Sequence, residues 1–127
     1  MNMRVLIVED CYEIRENLAG FLRKKGYVVD TAADGLMGLH RACDFQIDLA
    51  VIDCGLPSVS GIDLIKKIRH LMLDYPIIVM TSYERWEERA EFLEAGADDY
   101  IEKPFNPNDL REKIDALGRR VGMMGPA

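Results

Sequence analysis

The run Leu49-Ala-Val-Ile-Asp53 governs how the rest of the chain reads. Four apolar residues end on a carboxylate, and Gly55 and Pro57 follow at once. A short, near-continuous apolar run is the pattern of a strand buried on both faces, as in a parallel sheet covered by helices. Four more runs flank it: Val5-Leu6-Ile7-Val8, Val28-Val29, Ile77-Ile78-Val79-Met80 and Tyr100-Ile101. Val28-Val29 and Tyr100-Ile101 are shorter with more polar flanks, which suits sheet edges.

The stretches between these runs have helical period. Ile14, Leu18, Phe21 and Leu22 make one apolar face; Leu64, Ile65, Ile68, Leu71 and Met72 a second; Leu110, Ile114, Leu117 and Val121 a third. Each face is expected to lie on the sheet. Gly26 and Gly96 suit the left-handed position after a helix. Ser60-Gly-Ile-Asp63 resembles a capping box, and Asn106-Pro107 suits the start of the last helix. The pattern is (βα)5, an α/β chain that predicts a doubly wound, five-stranded parallel sheet with helices on both faces and right-handed crossovers.

The 127 residues fit one domain, able to remove about two-thirds of its unfolded surface from water. A net charge of -6 argues against direct nucleic-acid binding by this chain, which needs a basic stripe. Cys11, Cys43 and Cys54 lack metal-ligand spacing and read as reduced thiols, with Cys11 and Cys54 as small packing residues. The first apolar run is too short for a signal peptide or a membrane span, so a cytoplasmic location is expected. Residues 1–121 read as the domain, and residues 122–127 as a tail.

In such sheets ligands bind beyond the carboxyl ends of the strands, where strand order reverses. Strand one ends in Glu9-Asp10, strand three in Asp53 and strand four in Thr81-Ser82; Lys103-Pro104 follows strand five. A flavodoxin-like order, 2-1-3-4-5, brings these residues to one rim. Two unit charges about 4 Å apart repel by about 4 kcal/mol at an effective dielectric of about 20, so three carboxylates call for a cation. Oxygen-only ligands suit Mg²⁺ or Mn²⁺. A carboxylate can then act as the nucleophile of phosphoryl transfer, with metal, ammonium and hydroxyl groups offsetting charge on the equatorial oxygens. Asp53, on the central strand, is the expected nucleophile. Taken singly, Asp10 is also a candidate N-cap of helix one, Glu9 a solvated loop acid and Lys103 a surface lysine.

Val-Glu-Asp10, Asp53-Cys-Gly-Leu-Pro57 with Gly61, Thr81-Ser82 and Gly96-Ala-Asp-Asp-Tyr-Ile-Glu-Lys-Pro-Phe105 together closely resemble receiver domains of bacterial two-component response regulators, over about residues 4–120. The resemblance implies that Asp53 accepts phosphate from a sensor histidine kinase. It implies Mg²⁺ held by Asp10, Asp53 and the Gly55 carbonyl, with Glu9 acting through water. Lys103 would contact the phosphate, ahead of a cis bond to Pro104. Thr81 and Tyr100 would form a switch pair. Helix one, with Glu13, Ile14, Asn17 and Leu18, would meet the kinase. Tyr83 and Gly55 would line the approach of water to the acyl phosphate.

The last motif, with Arg119-Arg120, looks most like the OmpR/PhoB subfamily, and the Asp53 motif with Trp86 is similar to its PhoP-type members. That subfamily implies a homodimer through helix four, strand five and helix five, using Arg89, Leu93, Asp98, Asp99, Asp109 and Lys113. Arg111 and Asp115 depart from it, and Asp115 is expected to face Glu94 of a partner. It also implies a C-terminal DNA-binding domain beyond the linker, so a fragment is one expectation and a free-standing single-domain phosphorelay shuttle, or a phosphate-independent binding module, the other. A flavodoxin is disfavoured because Glu9-Asp10 would repel the flavin phosphate. An aspartate-nucleophile phosphatase is disfavoured because Gly55 stands where its second acid belongs.

Overall fold

The computed structural model describes residues 3–44 and 46–120. Val121 and the tail expected at 122–127 lie outside the described residues. The elements run β1 (Arg4–Val8), α1 (Tyr12–Lys24), β2 (Val28–Ala32), α2 (Gly35–Asp44), β3 (Leu49–Asp53), α3 (Gly61–His70), β4 (Ile77–Thr81), a 3₁₀ turn (Tyr83–Glu88), α4 (Arg89–Ala95), β5 (Asp99–Glu102) and α5 (Pro107–Arg120). The five strands pair in parallel in the order β2-β1-β3-β4-β5, as expected. Val28-Val29 and Tyr100-Ile101 do sit in the edge strands.

Both faces of the central strands are buried, and alternate residues serve opposite cores. Leu6, Val8, Ala50, Ile52, Ile77 and Val79 join Leu64, Ile65 and Ile68 of α3 and Phe92 of α4. Val5, Ile7, Leu49, Val51, Ile78 and Met80 join Leu18 and Leu22 of α1 and Leu110, Ile114 and Leu117 of α5. The period-2 geometry of a strand and the absence of a solvated face explain why these runs are continuous in sequence.

Helix ends follow local chemistry. Gly26 (φ 98°) and Gly96 (φ 125°) take the left-handed region. The Ser60 hydroxyl accepts from the Asp63 amide at 3.2 Å, and the Asn106 side chain accepts from the Asn108 amide at 2.9 Å. Three expectations fail. Leu71 and Met72 are exposed, because α3 ends at His70 and Met72 turns to φ 64°. Asp10 is not the cap of α1; Cys11 holds that position with no side-chain cap bond, and it is exposed rather than packed.

Glycine at position 61 lets α3 approach the active strand. A Cβ there would stand 2.6 Å from the Asp53 carbonyl oxygen and 2.8 Å from Cys54 Cα, both backbone atoms that cannot yield cheaply. Gly61→Ala should therefore lower stability by about 1–3 kcal/mol, the usual range for overpacking, read as a lower midpoint in urea.

Candidate functional site: an acidic pocket at the switch point

The chain turns from β1 to β2 on one side of the sheet and reaches β3 on the other, so the carboxyl ends of β1 and β3 flank the topological switch point. Glu9 and Asp10 follow β1, and Asp53 closes β3. Each offers a carboxylate oxygen within 4.8 Å of the others. Glu9 is fully buried and Asp53 nearly so, while Asp10 is exposed.

Lys103 enters from the end of β5. Its amide donates to the Thr81 carbonyl at 2.7 Å, and its bond to Pro104 is cis. The ammonium lies 2.6 Å from Glu9 Oε1 and 2.9 Å from Asp53 Oδ1. Glu9 is thus no solvated loop acid and Lys103 no surface lysine: the sequence fixes their type, but only the parallel register brings a β1 loop against a β5 loop.

Burial pushes the Glu9 carboxyl up to about 7, and Asp53 adds to the rise, against the Lys103 hydrogen bond that lowers it. Burial alone would lower the Lys103 pKa, but its bonds to Glu9 and Asp53 outweigh that and the net shift is upward. Two buried oxygens lack any hydrogen-bond partner among the described residues: Glu9 Oε2 and Thr81 Oγ1. A buried, unpaired polar atom costs about 1–3 kcal/mol, so each of these two oxygens is a candidate to meet a ligand at the strand ends. Three hard carboxylate oxygens and an orphaned buried acceptor fit an Mg²⁺-type cation.

Cys54 is buried in this neighbourhood. Burial, then the Asp53 carboxylate, raises its thiol pKa, which suits packing and not redox chemistry.

These features accompany clear likenesses. The family model for the response regulator receiver domain matches residues 5–115. The chain belongs to the response regulator receiver family. It is 42% identical over 118 residues to the two-component response regulator PhoP of Pseudomonas aeruginosa, covering 93% of this chain and 52% of that protein. It is 38% identical to the transcriptional regulatory protein PhoP of Escherichia coli, covering 93% and 53%. The chain therefore spans about half the length of these relatives. Among solved structures, the receiver domain of Francisella response regulator 1452 superposes with a TM-score of 0.89 at 29% identity, covering 94% of this chain and 99% of that one. A receiver domain protein of Methanospirillum hungatei gives 0.88 at 36%, covering 95% and 98%. No helix among the described residues is long and apolar enough to cross a membrane.

The α4–β5–α5 face of this receiver is largely tied within the chain. The Arg89 guanidinium lies 4.0 Å from the Trp86 ring centroid and 5.9 Å from that of Tyr100, while donating to the Trp86 carbonyl at 2.7 Å. Trp86 and Tyr100 meet edge-on, centroids 5.1 Å apart. Asp98 pairs with Arg69 at 3.0 Å and accepts from the Ile77 amide at 2.8 Å. Asp99 pairs with Lys113 at 3.1 Å. Leu93 and Asp109 are exposed. Asp115 accepts from the Tyr27 hydroxyl and lies 3.8 Å from Arg111, so within one chain it is already engaged. On α1, Glu13 and Asn17 are exposed, whereas Leu18 is core. The side chains of Tyr83, Arg119 and Arg120 lie outside the described residues.

Sequence reasoning missed Arg69 and Arg15. Arg69 also donates to the carbonyls of Leu73, Tyr75 and Gly96, joining α3 to the α4–β5 turn. Both arginines act on backbone carbonyls, which no side-chain motif announces.

Glu9 carries a pH signature. Its carboxyl binds a proton more tightly folded than unfolded, so its contribution is full below the ordinary value of 4.5 and is lost as pH rises through about 7. Thermal melts of metal-free protein should show stability falling between about pH 5 and about pH 8. Glu9→Gln should flatten that decline, and Mg²⁺ should reverse it in the wild type.

Proposed function

We propose that Asp53 is the phosphoacceptor of this receiver, taking a phosphoryl group from the phosphohistidine of a sensor histidine kinase. The observation that carries this reading is the convergence of Glu9, Asp10 and Asp53 within 4.8 Å, with Lys103 2.9 Å from Asp53. In the reaction an Asp53 carboxylate oxygen forms a bond to phosphorus as the phosphorus–nitrogen bond breaks. The departing imidazole nitrogen keeps that electron pair, and the product is an acyl phosphate.

Asp10, Asp53, the Gly55 carbonyl and, through water, Glu9 would hold Mg²⁺ or Mn²⁺. When bound, the cation supplies positive charge against the carboxylates and one equatorial phosphoryl oxygen. Lys103 donates to a second oxygen. The Thr81 hydroxyl, unpartnered in this structure, donates to a third. Hydrolysis of the acyl phosphate returns Asp53 to its free state, so the domain is a signalling acceptor and not a turnover enzyme.

Thr81 and Tyr100 form the switch pair. As the hydroxyl turns to the phosphate, the 3₁₀ turn after it shifts, and Tyr100 leaves the edge of Trp86. Arg89 is then released from its stack, and Asp99 and Lys113 re-pair across a homodimer formed through α4, β5 and α5, centred on Leu93. This is a two-state element biased by a covalent charge. In the full-length cytoplasmic regulator, the dimer would place a C-terminal domain on DNA and control transcription, as the names of the PhoP relatives suggest. The acidic receiver itself makes no nucleic-acid contact.

Incubation with acetyl phosphate and Mg²⁺ should add one phosphoryl group to the intact mass. The gain should need metal and disappear in Asp53→Asn. A folded, metal-loaded protein with no gain, even in a rapid-quench sample, would sink the reading. Trp86 is the sole tryptophan, so its emission should change on phosphorylation in the wild type and stay constant in Asp53→Asn.

A further inference from the structure

We propose that Arg15 is a positioning residue for the acidic pocket, holding the Glu9–Asp10 loop by its peptide carbonyls. The inference rests on reading that pocket as a metal-assisted phosphoacceptor site. Arg15 Nη1 donates to the Glu9 carbonyl at 2.9 Å and lies 3.4 Å from the Asp10 carbonyl. These oxygens belong to the peptide groups on either side of the Asp10 Cα, so one guanidinium restrains both planes that set the direction of the Asp10 side chain.

The Asp10 carboxylate needs such help. It is exposed, it does not cap α1, and it has no hydrogen bond of its own among the described residues. Its aim is set by the backbone alone. Arg15 is itself held: its side chain is 14% exposed, its guanidinium lies 5.4 Å from the Tyr12 ring centroid, and its Nε is 3.5 Å from Glu16. The segment that carries these contacts is the first turns of α1, anchored to the core by Leu18 and Leu22. The pocket loop is thereby tied to a rigid element.

Electrostatics and geometry make opposite predictions, which separates this role from a merely nearby charge. A guanidinium beside a dication site repels the dication, so deleting the charge alone should tighten metal binding. Loss of position should weaken it. A bond that only supports the fold would move the melting temperature and leave metal affinity unchanged.

The test is Mn²⁺ binding followed by electron paramagnetic resonance, with thermal melts of the metal-free proteins, for wild type, Arg15→Gln and Arg15→Lys. Arg15→Gln should bind Mn²⁺ about tenfold or more weakly, the usual penalty for losing a group that orients a metal ligand. Arg15→Lys, which keeps the charge on a shorter side chain without the planar guanidinium, should fall between. Affinity equal to or tighter than wild type in a folded Arg15→Gln protein overturns the inference. If Arg15→Gln does not fold, Arg15→Lys decides: wild-type affinity overturns it and weaker affinity supports it. A wild type that binds no Mn²⁺ overturns the metal reading of the pocket and this inference with it.

Discussion

Three carboxylates share the end of two adjacent strands, and one ammonium answers them. At distances below 5 Å each like-charge contact costs a few kcal/mol at an effective dielectric of about 20, while a whole domain is stable by only about 5–15 kcal/mol. Glu9 carries the cost of burial first and of Asp53 second, its carboxyl held up to about 7 beside a lysine 2.6 Å away. Such a site survives only on a scaffold that resists collapse and opening. The central strands β1, β3 and β4 supply it, with buried residues on both faces and helices packed against each. The rim is crowded because the strands beneath it cannot move apart.

That rigidity is reinforced where helices meet the site. Gly61 lets α3 lie directly on the Asp53–Cys54 backbone, and Gly38 brings α2 onto Val8, just before Glu9. By contrast, the segment after Thr81 is a 3₁₀ turn leading into the short α4. This segment joins Thr81 to Trp86 along the chain, while the β4–β5 pairing joins Thr81 to the strand that carries Tyr100. Arg69 fixes the far end of that route by binding the Gly96 carbonyl. Between these ends lie residues 82–95.

The fold was legible because its strands are short, apolar and each followed by a turn signal; Leu49–Asp53 could hardly be read otherwise. Edge assignment followed from the polar flanks of Val28-Val29 and Tyr100-Ile101. Misreadings arose where periodicity outran a helix: Leu71 and Met72 fit the α3 face on paper, yet the chain has turned out of the helix by Met72. At the site, residue types were legible and their environments were not. The burial of Glu9 depends on strand pairing 94 residues apart in sequence from Lys103. Similarly, nothing local in Asp98, Asp99 or Asp115 reveals that each is already bound within the chain. Charged residues assigned to a partner by pattern alone must first be checked for partners at home.

The two unpartnered buried oxygens give the site its direction. Glu9 Oε2 lies on the β1 side of Asp53 and Thr81 belongs to β4, on the other side. An acceptor of one kind is satisfied by a cation; a hydroxyl of the other is satisfied by an anion. One small ligand cannot serve both, but a cation and a phosphoryl oxygen together can. The acceptor side is anchored to α1, the donor side to the 3₁₀ turn and α4. In the proposed reaction a cation would act on the half that is tied to α1, and a phosphoryl group on the half that is joined to Trp86, Arg89 and Tyr100. The two unsatisfied atoms would thus meet different ligands on different elements, Glu9 after β1 and Thr81 at the end of β4.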